Sequence, residues 1–494
     1  MEVMAEIRVD NLTFENVFDS VSFSVDSDWK LGLIGRNGKG KTTFLRLLMG
    51  KYEYRGNIYS AIPFRYFPVS VPVEAWNENV IDLMEKEFPD YELWRVISEL
   101  GSLGMEADIL YRTFGTLSFG ERTRVMLAFL FAYENNFLLL DEPTNHLDME
   151  TKDLLKEYLQ KKKGFILVSH ERDLLDSCVN HILAINRCSI TISKGNFSTW
   201  MSNKERQDVY ELSKNENLKK DIKRLENAAR QSSVWADKVE GTKIGFNPIK
   251  EDRNIGSRAY IGEKSRRMQQ RRKNLEKRQL KQIEEKKGLL KDIEHEIDLK
   301  MFPLLYHAQT LARIESVGMM FDGRTVCKDI SFDIKNGERV LLNGKNGCGK
   351  SSIIKAILGE TAPAEGKITV GGGVSISYVP QDASGLKGKL KDFAQRRNVE
   401  LSIFMSVLRQ MDFERMQFEK DISEYSDGQK KKVMIAASLC TKAHLYIWDE
   451  PLNYIDVFSR MQIERLILKF QPTLLFVEHD RYFQKNIATK VVEL

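Results

Sequence analysis

Gly35-Arg36-Asn37-Gly38-Lys39-Gly40-Lys41-Thr42-Thr43 returns 309 residues later as Gly344-Lys345-Asn346-Gly347-Cys348-Gly349-Lys350-Ser351-Ser352. Both stretches fit G-x-x-x-x-G-K-[ST], in which glycines let successive backbone N–H groups turn inward around phosphate oxygens. The lysine then neutralises charge on the β/γ-phosphates and the next hydroxyl ligates Mg²⁺. Those roles fall to Lys41 with Thr42 and to Lys350 with Ser351. Cys348 occupies a variable position of the pattern and is read as inert.

The repetition extends beyond the loops. Ser118-Phe119-Gly120-Glu121 recurs as Ser426-Asp427-Gly428-Gln429, Asp141-Glu142-Pro143 as Asp449-Glu450-Pro451, and Ser169-His170 as Glu478-His479, at offsets of 308, 308 and 309. Four ordered pairs at one offset describe a duplicated module. In each copy a short apolar strand, Leu31–Ile34 or Val340–Leu342, enters the loop and a helix leaves it, which is the context a phosphate loop requires. A second apolar strand, Phe137–Leu140 or Leu445–Trp448, ends in Asp-Glu. Strands alternating with helices predict a parallel α/β sheet in each copy. Asp141 and Asp449 are placed to hold the metal. Glu142 and Glu450 are the candidates to polarise an attacking water. His170 and His479, each at the end of a further apolar strand, are placed to meet a γ-phosphate.

Composition narrows the setting. The 494 residues suit about three domains. No apolar run of about 18 residues is present, and the N-terminus lacks the basic-then-apolar pattern of a secretory signal. The five cysteines are scattered, with no CxxC pair, and read as reduced cytosolic thiols. The expected organisation is a first module at 1–202, a linker at 203–310 and a second module at 311–494.

Between the modules Leu218, Ile222, Leu225 and Ala229 alternate steps of four and three, and Ile283, Leu290 and Ile297 fall seven apart. Such stripes predict two long helices packed as an antiparallel coiled-coil hairpin, each of about 35 residues, or roughly 50 Å. Gly241, Gly245, Pro248, Gly256 and Gly262 place its tip near 236–262. From Arg258 to Lys281 ten Lys and Arg residues face only Glu263 and Glu276, so the rest of the chain is slightly acidic under a net charge of +5. Clustered charge of this kind is a footprint for phosphate backbone. The expected RNA contacts are Trp235, Lys243, Phe246, Arg258, Tyr260, Lys264, Arg266, Arg267, Arg271 and Arg272, with the aromatics available to stack on exposed bases.

Ser118–Glu121 and Ser426–Gln429 resemble the signature motif of ATP-binding-cassette ATPases. Asp141-Glu142-Pro143-Thr144-Asn145-His146-Leu147-Asp148 is similar to the corresponding stretch of the ABC-F branch, whose tandem cassettes act on ribosomes. The resemblance implies two ABC-type ATPase domains in a head-to-tail sandwich within one monomer. One ATP would lie between the Lys41 loop and Ser426 with Gly428 and Gln429, the other between the Lys350 loop and Ser118 with Gly120 and Glu121. It also implies an adenine-stacking aromatic, Phe321 in the second copy and Phe14 or Phe18 in the first. The glutamine that family cassettes place near the metal is Gln381 in the second copy, whereas the first has Val69. Two ATPs with unequal turnover are therefore expected.

The interval between these positions and the signature is about 49 residues in the first copy and about 45 in the second, leaving no room for an inserted arm. With 15 residues after His479, no C-terminal extension is expected. That pattern resembles the antibiotic-resistance members of Lsa and Vga type. It implies a cytoplasmic, ribosome-associated protein that needs no transmembrane partner. Its hairpin would reach from the exit site, past tRNA, toward large-subunit rRNA at the peptidyl-transferase centre. Lincosamides, streptogramin A compounds and pleuromutilins are the drugs so suggested. The alternatives are a housekeeping translation factor of the same branch, the ATPase module of a drug exporter and a chromosome or DNA-repair ATPase.

Overall fold

A computed structural model describes residues 6–15, 17–89, 91–145, 147–186, 189–241, 270, 277–278, 299–321, 324–345 and 347–494. The first module opens with β1 (Glu6–Phe14), β2 (Phe18–Asp26), β3 (Lys30–Ile34), β4 (Arg55–Ser60) and β5 (Phe64–Phe67). It continues with β6 (Phe137–Asp141), β7 (Phe165–Val168), β8 (His181–Asn186) and β9 (Ser189–Lys194). The second repeats the plan with β10 (Thr310–Phe321), β11 (Arg324–Lys335), β12 (Arg339–Asn343), β13 (Glu365–Val370), β14 (Ile376–Val379), β15 (Leu445–Asp449), β16 (Leu474–Val477) and β17 (Lys490–Glu493).

Each module carries a small antiparallel sheet, ordered β2-β1-β4 or β11-β10-β13, and a larger sheet. The larger sheets run β5-β6-β7-β3-β8-β9 and β14-β15-β16-β12-β17, so five strands correspond one for one. Those five are parallel throughout. Strand order 5-6-7-3-8 needs right-handed crossovers, and the helices that make them cover the sheet.

Being covered on both faces, the central strands β6, β7, β15 and β16 are near-continuous apolar runs, and alternate residues enter different cores. Along β15, Leu445 and Ile447 join the core under the antiparallel sheet, whereas Tyr446 and Trp448 join the core on the other side. Trp448 is fully buried and satisfies its indole by donating to Ser438 Oγ at 3.0 Å. This packing holds the C-terminal ends of β3, β6 and β7, and of β12, β15 and β16, side by side. The motif residues follow at those ends, as ligand sites do in open α/β sheets.

Beyond β8 the first module adds β9, which pairs antiparallel on the sheet edge and feeds a helix, Phe197–Gly241. Asn196 caps this helix: its Oδ1 accepts from Thr199 N at 3.0 Å and Thr199 Oγ1 at 2.7 Å. Capping by Asn196 starts the helix earlier than residue 203, and it spans 45 residues, longer than the stripe alone suggested. Residues Met1–Trp200 and Ile297–Leu494 form one compact unit, and Met201–Glu296 form another. Within the second unit Ile222 is buried, as its place in the stripe predicts. The returning helix, the tip beyond Gly241 and Lys243, Phe246, Arg258, Tyr260, Lys264, Arg266, Arg267, Arg271 and Arg272 lie outside the described residues. Trp235 lies on the helix Phe197–Gly241. No helix among the described residues is long and apolar enough to cross a membrane.

Candidate nucleotide sites

Both phosphate loops close onto helices that begin at the lysine, Lys41–Leu48 and Lys350–Ile357. Gly40 and Gly349 precede them at φ of 89° and 99°. A Cβ at Gly40 would also sit 2.5 Å from Val17 Cγ1, so glycine is required there for backbone and for space. Gly38 and Gly347 have positive φ and nothing within 4 Å of a would-be Cβ, which leaves an open concavity over the loop.

In the first module Lys41 Nζ donates to Gly35 O at 2.8 Å, and Thr42 Oγ1 donates to Asp141 Oδ2 at 2.8 Å. Tyr66 Oη donates to the same oxygen at 2.9 Å. Glu142 has φ of 52°, a strained value for a non-glycine residue, and its N–H is tied to Val168 O at 3.0 Å. His170 Nε2 lies 3.2 Å from Glu142 Oε1, close but off the hydrogen-bond axis, and that oxygen is buried without a hydrogen-bond partner. Burial pushes the Glu142 carboxyl up to about 8, with Lys41 opposing and Asp141 reinforcing the rise. Burial, then the charges of Lys41 and Arg460, holds His170 well below the usual imidazole range.

The second module repeats this frame with different chemistry. Lys350 Nζ donates to Gly344 O at 2.7 Å, and Ser351 hydrogen-bonds Asp449. Glu450 also has positive φ, 46°. Burial pushes Glu450 upward, but His479, Gln381 and Asn453 overcome it and set the carboxyl at about 2. Asn453 Nδ2 donates to Glu450 Oε2 at 2.7 Å, and His479 Nε2 approaches Oε1 at 3.3 Å, again off-axis. Gln381 hydrogen-bonds Glu450 and lines the same cavity as Ser351.

The signature segments act first as helix caps. Ser426 Oγ accepts from Gln429 N at 3.3 Å while Gln429 Oε1 accepts from Ser426 N at 3.1 Å, opening the helix Asp427–Cys440. Ser118 and Glu121 do the same for Phe119–Ala132, at 3.2 and 2.7 Å. The positive end of each helix dipole therefore coincides with the motif.

The first loop meets the second module's signature directly. Asn37 Nδ2 donates to Tyr454 O at 2.9 Å, and a Cβ on Gly428 would lie 3.5 Å from that nitrogen. Arg36 pairs with Asp412, and Lys39 lies 3.7 Å from Glu414. Between them is a cavity of about 400 Å³ lined by Asn37, Gly38, Glu142 and His170 on one side and Ser426, Gly428 and Gln429 on the other. At the Lys350 loop a cavity of about 540 Å³ takes Gly347, Lys350, Ser351, Gln381, Glu450 and His479 from its own module. The first module contributes Thr144, Asn145, Leu147, Lys152 and Glu171, and Ser118 is not among the lining residues. Lys345 reaches Glu150 at 2.7 Å. The structure thus brings Asn37 and Gly38 of the first loop to one cavity with Ser426, while Lys41 is not among its lining residues, and it does not bring Ser118 to the Lys350 cavity.

Other predicted positions fall as follows. Phe18 is fully buried against Phe44, at a centroid distance of 5.9 Å, and is withdrawn as an adenine platform. Two aromatics bracket the turn after β1, and the inward parity of β2 claims Phe18 for the core. Phe14 remains, beside Tyr52 at 5.6 Å. Phe321 ends β10. Asn346 and His146 lie outside the described residues. Sequence reasoning missed Tyr66, although the Tyr-x-Pro spacing at Tyr66 and Tyr378 repeats. It also missed Arg172, whose guanidinium pairs with Glu464 across the modules, and Arg481, which pairs with Asp153 in the mirrored place.

The residues present fit a magnesium-bound nucleotide. Two glycine cradles are open, and Asp449 Oδ1, Glu142 Oε1 and His479 Nε2 are buried polar atoms that make no hydrogen bond.

Comparison with known proteins agrees with this geometry. The sequence profile described as "ABC transporter" matches residues 18–145 and 327–453. The chain is similar to the ribosome protection protein VmlR of Bacillus subtilis, 28% identical, over 98% of this chain and 86% of that one. It is similar to ABC transporter F family member 5 of Arabidopsis thaliana, 26% identical, over 97% and 72%. Among solved structures it shares its fold with an archaeal ribosome recycling factor, aABCE1, in complex with the stalk protein aP1. That match has a TM-score of 0.63 and 19% identity and covers 98% of this chain and 87% of that one. The duplicated profile, the paired phosphate loops and the matching sheets establish that this chain belongs to the ABC transporter family as a tandem of two ATP-binding cassettes, and is an ATPase.

Proposed function

We propose that this protein is an ATP-gated ribosome-binding factor of the ABC-F type. It protects the ribosome from drugs of the peptidyl-transferase centre, namely lincosamides, streptogramin A compounds and pleuromutilins. The observation that carries the gating is the cavity in which Asn37 and Gly38 face Ser426 and Gly428. Neither cassette owns all of that site, so a nucleotide held there joins the two.

Thr42 with Asp141, and Ser351 with Asp449 and Gln381, would hold Mg²⁺, and the two glycine loops with Lys41 and Lys350 would hold the phosphates. Bound MgATP supplies the phosphoanhydride that is cleaved. Glu142 and Glu450 orient and deprotonate water, and His170 and His479 hold the glutamates and face the γ-phosphate position. The helix N-terminus at Ser426 directs backbone N–H groups toward that charge, and the one at Ser118 would do so on fuller closure over the Lys350 loop. Loss of the γ-phosphate removes the shared anion and lets the cassettes part. Because Val69 offers no ligand where Gln381 does, turnover is faster at the Lys350 site.

The ribosomal half of the reading draws on the likeness to VmlR along nearly the whole chain and on the basic run 258–281. In this reading the hairpin of 203–310 carries the RNA-contacting side chains to rRNA and tRNA, and the protein works as a cytoplasmic monomer. Expression in a drug-sensitive host should raise the inhibitory concentration of at least one of the three drug classes, and shortening 240–256 should abolish that rise while ATPase persists. Unchanged inhibitory concentrations for all three, with ribosome binding intact, favour the second reading, a housekeeping translation factor.

A further inference from the structure

At two buried positions the cassettes differ in charge. Thr123 and Ser169 of the first, 4% and 2% exposed, correspond at offsets of 308 and 309 to Lys431 and Glu478, 3% and 4% exposed. Burying an ammonium or a carboxylate is costly unless each finds partners. Lys431 Nζ donates to Pro380 O at 2.8 Å and Glu450 O at 3.1 Å. The carboxylates facing it are Glu478, Asp449, Glu450 and Asp382. Glu478 Oε1 accepts from Leu452 N at 2.7 Å, and Oε2 accepts from His479 N at 3.1 Å. Arg460, itself bound to Asp480 at 3.0 Å, is the cation that acts most strongly on Glu478.

These four bonds reach three catalytic segments, those of Gln381, Glu450 and His479. Pro380 immediately precedes Gln381, Glu450 follows β15 with Leu452 two residues on, and His479 follows β16. At the matching place in the first cassette Ser169 Oγ accepts from Glu171 N at 3.1 Å, a bond local to its own turn. A threonine at 123 has one hydroxyl on Cβ and cannot span from a glutamine-loop carbonyl to a strand-end carbonyl as a lysine stem does.

We propose that Lys431 and Glu478 are a paired positioning device, peculiar to the second cassette, that fixes Gln381, Glu450 and His479 relative to one another at the Lys350 site. Lys431 is not among the residues lining the Lys350 cavity, whereas Glu478 is. Each acts through main-chain groups beside the catalytic side chains, Lys431 through Pro380 O and Glu450 O and Glu478 through Leu452 N and His479 N, while Asp449, Glu450 and Asp382 also face Lys431 and Arg460 also acts on Glu478. The inference rests on the reading of Glu450 as the water-orienting group.

The test uses the full chain carrying Glu142→Gln, with enzyme in excess over ATP, so that one turnover at the Lys350 site is followed together with ATP affinity. Lys431→Thr and Glu478→Ser should each slow hydrolysis about tenfold, with the ATP dissociation constant changed less than about twofold. The combined variant should again lose about tenfold rather than a hundredfold, because the pair acts as one unit. Lys431→Arg should recover part of the rate. Multiplying effects in the double variant, or a double variant as fast as its parent, would overturn the pairing. Should the single variants fail to fold, the double variant, which copies the Thr/Ser pair of the first cassette, decides alone by the same criterion. Glu450→Gln in the same background separates the two claims: persistence of hydrolysis there defeats the assignment of Glu450, whatever the pair does.

Discussion

The two nucleotide sites share a backbone and differ in what surrounds the glutamate proposed to orient water. At the Lys41 site Glu142 is buried beside Asp141, and the glutamine-loop position holds Val69. At the Lys350 site Glu450 is engaged by His479, Gln381 and Asn453, with Lys431 and Glu478 bracing the segments behind it. Opposite shifts of two equivalent carboxyls, up to about 8 and down to about 2, follow from that difference. Closure differs too. The Lys41 loop is bonded to the second cassette through Asn37, Arg36 and Lys39, whereas the Lys350 loop is tied by the exposed pair Lys345–Glu150. The lesson is a division of labour, with one site suited to holding the cassettes together and the other to turning over.

That comparison breaks most visibly when both glutamates are changed. Glu142→Gln with Glu450→Gln should lower steady-state ATPase by at least about a hundredfold while ATP binding persists, and should raise the fraction that sediments with ribosomes. Co-sedimentation no greater than wild type would remove ATP as the gate.

Next come the mirrored arginines. Arg172 and Glu464 are 11% and 7% exposed, whereas Arg481 and Asp153 are 45% and 39% exposed. Arg172→Ala strands a buried carboxylate and should cost about 3 kcal/mol. Arg481→Ala removes a solvated pair and should cost less than about 1 kcal/mol. Denaturant unfolding of the two variants gives the ratio, and equal losses would deny that the interface is asymmetric.

Single glutamate variants sharpen the division. Glu450→Gln should reduce steady-state turnover about tenfold more than Glu142→Gln does. Equal reductions would mean equal sites. A smaller change is expected from Val69→Gln, which restores an amide near Asp141 and should raise turnover about threefold with a lower Mg²⁺ requirement. Titration of ATPase against Mg²⁺ reads both quantities.

Much of this was legible in the chain. Gly35–Thr42, Asp141-Glu142 and their repeats report their own geometry, because phosphate binding fixes residue type and spacing within one short segment. The parallel sheets followed from apolar runs such as Phe137–Leu140, and the Val69/Gln381 contrast was visible by aligning the copies. Contacts between residues hundreds of positions apart were not. Arg172 with Glu464, and Arg36 with Asp412, carry no local pattern and are defined only by the packing of two cassettes. Lys431 reads in sequence as one of three consecutive lysines on a helix, and its burial emerges only once β14 and β15 lie over it. Phe18 was ambiguous because the parity of a strand is fixed only when its first residue is known.

The central claim is that each nucleotide is completed by the opposite cassette. It is tested most directly by a cryo-EM or crystal structure of the Glu142→Gln, Glu450→Gln protein with MgATP. The account predicts one γ-phosphate bonded to both Lys41 and Ser426 and the other to both Lys350 and Ser118. Separated cassettes, each holding its own ATP with Ser426 and Ser118 in solvent, would contradict it.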